Sequence, residues 1–250
     1  MPRGADGIHY DDFRVHTWDI DAKNQATLQA LLRFMQETAM NDADEMNAGY
    51  EALHANGHTW VLVGLLIQCD AYPLFQSRLR VKVWLRAQEG LATLRDFLLE
   101  DEKGREFARA SSSWLVLDVA KRRPVMPDLY MERARPWQPR RAVGRDPERL
   151  EAVEDWDRSQ ELFVRYADLD MNGHVNNVHY PMYVQEPLPY AWRLEHDLIE
   201  IEMNFLAEAR HDDILEVRLK TESADSLRLR HGLFRRRDGL EIFRARTVWR

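Results

Sequence analysis

Between positions 168 and 177 the chain reads Asp-Leu-Asp-Met-Asn-Gly-His-Val-Asn-Asn. Asp170, Asn172 and His174 stand at alternate positions, so an extended backbone would carry all three to one side. A carboxylate and an imidazole placed together can orient one another and move a proton, and an amide beside them can donate to an oxygen that gains charge. Asn176 and Asn177 follow, then an apolar stretch from Val178 to Val184. Asn is a preferred N-cap, so the segment also reads as the entry to a helix. The same residue types build a polar turn with no chemistry in it, and composition alone leaves both readings open.

The flanks decide between them. Phe163-Val-Arg-Tyr-Ala-Asp168 leads in as a short strand, and Tyr180 and Tyr183 follow on the helix. The run from Arg165 to Asn177 resembles the signature of hotdog-fold thioesterases, and most closely that of the acyl-acyl carrier protein (acyl-ACP) thioesterase family. The resemblance extends from about residue 10 to the end, strongest at 163–183 and weaker at 24–39, 60–84 and 199–209. It implies an α+β fold of two tandem hotdog units, each an antiparallel sheet wrapped around a central helix. It also implies hydrolysis of fatty acyl thioesters in the C-terminal copy, with no metal or organic cofactor and with acyl carrier protein as partner.

Thioester cleavage makes modest demands, because a thiol of pKa near ~8.5 leaves readily. It needs an activated water or a carboxylate nucleophile, and donors for the oxyanion. In Ile201-Glu-Met-Asn-Phe-Leu-Ala-Glu-Ala209, the alternation of Ile201, Met203 and Phe205 marks a strand, and Glu208 comes after an apparent bend. By spacing alone Glu208 is an exposed strand-end carboxylate. The resemblance makes it the position of the family's functional glutamate. The catalytic set it implies is therefore Asp170, Asn172, His174 and Glu208, with Asn176, Asn177 and Tyr180 at the substrate. In this scheme Glu208, with Asp170 as the alternative, activates water or attacks directly. His174 orients that carboxylate or relays its proton, Asn172 donates to the thioester oxygen, and Asp170 holds Asn172 and His174 in place. Plant relatives carry a cysteine directly after the glutamate; Ala209 stands there in this chain. The single cysteine, Cys69, lies in an apolar run and reads as core.

Around these residues the chain falls into two halves. His9 to Trp18 alternates as a strand, and Leu28, Leu31, Leu32, Met35 and Ala39 give residues 26–40 the stripe of an amphipathic helix. Trp60 to Cys69, Arg80 to Arg86, Thr93 to Leu99 and Phe107 to Leu117 read as a meander, with Asp101 to Gly104 as a hairpin turn. Prolines and charge mark a linker over 126–157. The second half repeats the programme: strand 161–167, helix 177–186, then strands Leu198 to Leu206, Ile214 to Thr221, Ser226 to Arg236 and Gly239 to Trp249. Val15-His-Thr-Trp-Asp-Ile-Asp21 aligns with Val164-Arg-Tyr-Ala-Asp-Leu-Asp170 at an offset of 149, and Lys23 and Gln25 then occupy the places of Asn172 and His174. The expected domains are 1–125 without the catalytic set and 158–250 with it.

The 250 residues, 45% of them hydrophobic, suffice for one large domain or for two. A net charge of −7 gives nucleic acid no support as a partner. No apolar run reaches the ~20 residues of a membrane span, the N-terminus has no apolar signal core, and the expectation is a cytoplasmic protein. Two fused units supply the pairing that single hotdogs obtain by dimerising, so monomer and homodimer both fit. His54 and His58 are spaced like a helical metal pair, but Asn56-Gly57 interrupts them. The tryptophans Trp60, Trp84, Trp114 and Trp249 fall on apolar strands. Pro181, inside the second helix, favours a kink or a late start, and Gly64 stands where relatives carry an arginine. The linker arginines Arg133, Arg135, Arg140, Arg141, Arg145 and Arg149 either pair with nearby acids or steer an acidic carrier. An acyl-CoA thioesterase and a non-catalytic acyl-binding protein remain as alternative readings.

Overall fold

The computed structural model describes residues 4–134, 136–222 and 227–250; Arg135 and Ser226 of the expectations above lie outside them. The chain divides into two compact units, Met1–Pro147 and Glu148–Arg250. The first contains β1 (Ile8–Arg14), α1 (Leu28–Glu45), α2 (Tyr50–His54), β2 (His58–Cys69), β3 (Arg78–Glu89), β4 (Ala92–Asp101), β5 (Glu106–Asp118), β6 (Arg123–Val125) and α3 (Asp128–Met131). The second contains β7 (Arg158–Phe163), α4 (Tyr180–Tyr183), α5 (Tyr190–Glu195), β8 (Leu198–Phe205), β9 (Ile214–Thr221), β10 (Arg228–Arg235) and β11 (Leu240–Trp249). Strands run in the order β1-β3-β4-β5-β2 in the first unit and β7-β9-β10-β11-β8 in the second, all pairs antiparallel. The two orders are the same programme executed twice.

In the first unit α1 is the central helix and packs on β1 and β3. Thr27 caps it, its hydroxyl accepting the Ala30 N–H at 3.0 Å, a contact worth about 1 kcal/mol. The expected face, Leu28, Leu31, Leu32, Met35 and Ala39, is buried. The helix runs on to Glu45, past the predicted end at 40. Its polar last turn is held by partners distant in sequence. Asp42 is buried with Arg95 at 3.3 Å, Asn41 Nδ2 donates to Asp11 at 2.9 Å, and Glu45 meets His9 Nδ1 at 3.2 Å.

The second unit departs from the predicted helix over 177–186. Only Tyr180–Tyr183 forms an α-turn, followed by turns bonded at i→i+3 (Gln185 N–H to Met182 O, 3.1 Å; Glu186 N–H to Tyr183 O, 3.1 Å) and then α5. Pro181 at the start, and Pro187 and Pro189 after it, deny the segment the donors a continuous helix needs. The lead-in strand also stops early: β7 ends at Phe163 and Tyr166–Asp168 is a 3-10 turn.

Residues 126–157 are bound chain rather than free linker. Tyr130, Met131 and Ala134 belong to a buried cluster with Met46, Leu53 and Leu85 in the first unit. Asp96, fully buried, accepts from Ser111 Oγ, Arg86 Nε and the Ala142 N–H, which ties the segment to the sheet. In the second unit Glu202, also fully buried, accepts the Glu148 N–H at 2.7 Å and pairs with Arg246 at 2.6 Å, while Asn204 Oδ1 accepts the Leu150 N–H. Local pairing is what Arg140 and Arg141 do, with Glu106 at 3.5 Å and Asp146 at 2.8 Å. Trp84 and Trp249 are buried, whereas Trp60 and Trp114 are half-buried.

Candidate active site

The expected extended run at 168–177 is a closed turn. Asp170 N–H donates to His174 O at 2.8 Å and Gly173 N–H to Asp170 O at 3.0 Å, with Gly173 at φ 72°. That backbone angle favours glycine. Asp170 Oδ1 accepts the Asn172 N–H at 2.8 Å, as in an Asx turn. Alternation therefore does not align the three side chains, and Asn172 points out as an exposed residue at the tip. Upstream, Asp168 Oδ2 accepts the Arg165 N–H at 2.8 Å, and its carbonyl accepts the Asn176 N–H at 2.9 Å. Asn176 Oδ1 accepts the Val178 N–H at 3.2 Å, so this side chain starts the following turn, while Asn177 is half-buried beside it.

His174 and Glu208 are brought together across the site. His174 Nε2 lies 3.2 Å from Glu208 Oε2, both side chains partly exposed. The approach is made by an isolated β-bridge between His174 and Arg210 and by the Val175 N–H donating to Ala209 O at 2.9 Å. The expected bend before Glu208 is present: the Leu206 and Ala207 N–H groups both donate to Ile242 O, at 2.9 and 3.1 Å. Arg210 Nη2 reaches the same Glu208 oxygen at 3.4 Å.

Tyr180, expected at the substrate, is 3% exposed, and its phenolic oxygen accepts the Ala209 N–H at 3.1 Å. Burial pushes its hydroxyl up to about 12, with Glu208 and Asp170 adding to the shift. Burial also raises Tyr183, with Asp168 nearby. His179 faces Asp168 at 3.6 Å. Two groups that sequence reasoning passed over stand close to Glu208. Arg235 Nη1 donates to the Glu208 carbonyl at 2.9 Å, and Arg210 shares its carboxylate; Arg235 arrives from a distant strand, and Arg210 lies two residues along the chain from Glu208. Cys69 is buried, its thiol pushed up to about 12 by burial, which suits core. His58 is taken by the Tyr130 hydroxyl at 2.8 Å and His54 stacks on Tyr50. Among the described residues no cluster of His, Cys, Asp or Glu could hold a metal, and no helix is long and apolar enough to cross a membrane.

The first unit builds the same turn. Asp21 N–H donates to Gln25 O at 2.9 Å, Asn24 N–H to Asp21 O at 3.1 Å, and Asp21 Oδ1 accepts the Lys23 N–H at 2.8 Å. Asp19 Oδ2 accepts the His16 N–H at 2.9 Å, its carbonyl the Thr27 N–H at 2.8 Å, and the Ala26 N–H donates to Pro73 O at 2.8 Å. The internal repeat is thus a repeat of hydrogen bonds. Gln25 stands for His174, and Tyr72, before Pro73, stands for Glu208.

The family model for the acyl-ACP thioesterase N-terminal domain matches residues 7–132, and that for the C-terminal domain matches residues 151–250. A chloroplastic palmitoyl-acyl carrier protein thioesterase of Gossypium hirsutum is 27% identical over 98% of this chain, which spans 64% of that protein's length. A chloroplastic oleoyl-acyl carrier protein thioesterase of Coriandrum sativum is 27% identical, again over 98% of this chain and 78% of the relative. Among solved structures, an acyl-ACP thioesterase from Bacteroides thetaiotaomicron superposes with a TM-score of 0.85 at 21% identity, covering 98% of both chains. The 12:0-ACP thioesterase from Umbellularia californica gives 0.86 at 23% identity over 98% of this chain and 97% of its own. These superpositions carry the hotdog fold. With both domain models spanning nearly its whole length, the chain belongs to the acyl-ACP thioesterase family.

Proposed function

We propose that the chain hydrolyses fatty acyl thioesters carried on acyl carrier protein, releasing free fatty acid and the carrier thiol, in the cytoplasm. The observation that supports this most is the His174–Glu208 pair, 3.2 Å apart and reachable from solvent. Glu208 takes the proton of a water that attacks the thioester carbonyl carbon. His174 orients that carboxylate and relays the proton to the departing sulfur. The exposed Asn172 side chain donates to the oxyanion of the tetrahedral intermediate, whose collapse expels the thiolate. Asn176 and Asn177 line the approach of the substrate. Asp170 serves the turn rather than the reaction, since Asp21 does the same work in a turn without the pair. Ala209 offers no thiol, so a cysteine nucleophile at that position is excluded.

The experiment is thiol release from a panel of acyl-ACPs and the matching acyl-CoAs, wild type beside His174→Ala. Faster turnover on the carrier-bound series, lost in the variant, supports the proposal. Turnover on the CoA series alone moves the substrate to the sister thioester. Equal turnover by wild type and His174→Ala removes the site from the mechanism.

A further inference from the structure

Glu208 sits where the chain has no ladder of its own. β8 ends at Phe205 and β9 begins at Ile214, yet the Glu208 carboxylate is held 3.2 Å from His174. The peptide unit that follows Glu208 is gripped at both ends by side chains. Arg235 Nη1 donates to the Glu208 carbonyl at 2.9 Å, and the Ala209 N–H of the same peptide donates to the Tyr180 phenolic oxygen at 3.1 Å. A peptide unit is a rigid plane, so fixing its two polar ends fixes the orientation of the Cα that carries the Glu208 side chain. The next carbonyl, that of Ala209, is held by the Val175 N–H directly beyond His174. Both sides of the pair are thus referred to one stretch of backbone.

The two gripping groups are themselves fixed. The Tyr180 ring packs edge-on to Phe205 with centroids 5.7 Å apart and against Phe243 at 5.2 Å. Asp238 holds the Arg235 guanidinium at 2.6 and 3.1 Å. The first unit, which lacks the pair, lacks the N–H end of the grip as well. Pro73 stands at the place of Ala209 and has no N–H to give, and Leu31 stands at the place of Tyr180. Glu208, His174, Tyr180 and the Ala209 N–H stand together in one unit, and Tyr72, Gln25, Leu31 and Pro73 take their places in the other.

We propose that Tyr180 and Arg235 are positioning residues for Glu208: they clamp the Glu208–Ala209 peptide from both ends and keep the carboxylate aligned with His174, without touching the substrate. The inference rests on the reading of Glu208 as the group that activates water.

The test is steady-state kinetics of the full chain on the acyl-ACP that wild type turns over fastest. Tyr180→Phe keeps the ring packing and removes only the oxygen. Its kcat falls about 10- to 100-fold with KM within two-fold, the pattern of an interaction needed in the transition state. The Ala209 amide then exchanges with solvent at least about tenfold faster than in wild type. Arg235→Met gives a kcat loss of similar size, and Arg235→Lys, which can still donate to the carbonyl, recovers most of it. A residue serving stability alone would lower the melting temperature without this split or this rescue. Should Tyr180→Phe fail to fold, the Arg235 pair decides. Wild-type kcat in both Tyr180→Phe and Arg235→Met, where Glu208→Gln is inactive, overturns the clamp alone. A KM increase at unchanged kcat overturns it too, by putting Tyr180 at the substrate. Full activity in Glu208→Gln overturns the functional reading itself, whatever the other variants do.

Discussion

The turns at 15–27 and 164–176 are the same object in backbone and different objects in chemistry. Each uses one aspartate to close a 3-10 or bend-like entry (Asp19, Asp168) and a second to hold the tip (Asp21, Asp170). Each places a left-handed residue at the same step, Asn24 at φ 62° and Gly173 at φ 72°. Each is followed by a bulge in which two N–H groups share one carbonyl: Asp70 and Ala71 on Phe107 O, Leu206 and Ala207 on Ile242 O. What differs is Lys23 for Asn172, Gln25 for His174 and Tyr72 for Glu208. The same turn is therefore built with or without Asn172, His174 and Glu208, and in both units the aspartates hold it. The difference also extends to the helices. The first unit has the continuous 18-residue helix, and the unit with the His174–Glu208 pair has a helix broken by proline.

The comparison can be broken first at its reactive position. His174→Gln copies the first unit into the second and should lower kcat on acyl-ACP by about a thousandfold, whereas Gln25→His should leave turnover unchanged. Thermal melts should find both variants folded. Comparable losses from both substitutions would mean that both turns work.

Acid should separate the units next. His231, in the second unit, is wholly buried with Nε2 at 2.9 Å from Thr247 Oγ1, and burial lowers it from 6.5 to about 4. The unfolded chain therefore binds the extra proton as pH falls through 6.5, while the folded chain resists it until about 4. Stability is full above about pH 6.5 and declines by roughly 3 kcal/mol towards pH 4, at 1.36 kcal/mol for each unit of the difference. Urea titrations across this range, wild type beside His231→Gln, should show the slope removed in the variant. An unchanged slope would place the acid sensitivity elsewhere.

The aspartates come third. Asp21→Ala and Asp170→Ala should each cost about 1 kcal/mol of stability, because each leaves an N–H of the turn without its acceptor. Only Asp170→Ala should slow turnover as well, by about tenfold, since only its turn carries a reacting group. Smallest is the left-handed step. A Cβ on Gly173 would meet nothing within 4 Å, so the loss in Gly173→Ala is backbone strain alone, about 1 kcal/mol. Gly173→Asn, which copies Asn24, should lose less. Chemical denaturation of the two variants reads the difference.

Much of this was legible in the sequence, and the reasons are local. Strand positions followed from alternation, and the buried face of α1 from Leu28, Leu31, Leu32, Met35 and Ala39. The repeat at an offset of 149 followed from seven residues and proved to be a repeat of hydrogen bonds. What was not legible depended on partners far along the chain. The last turn of α1 looks too polar for a helix until Arg95, Asp11 and His9 are placed against it. The 168–177 run looks extended by alternation, but Asp170 accepts the N–H two residues on and folds the chain back. Tyr180 reads as a substrate contact from its place in the motif, and only register shows its oxygen on the Ala209 N–H. Glu208 had no local signal at all and came from family likeness; the structure then supplied His174 at 3.2 Å.

In the proposed reaction the second unit works through Glu208, which faces its turn at His174. Thiol release from acyl-ACP by Glu208→Gln, with a melting curve run on the same sample, tests this most directly. The expected result is a kcat lowered by at least about a thousandfold at an unchanged melting temperature. Turnover within tenfold of wild type by the folded variant would contradict it.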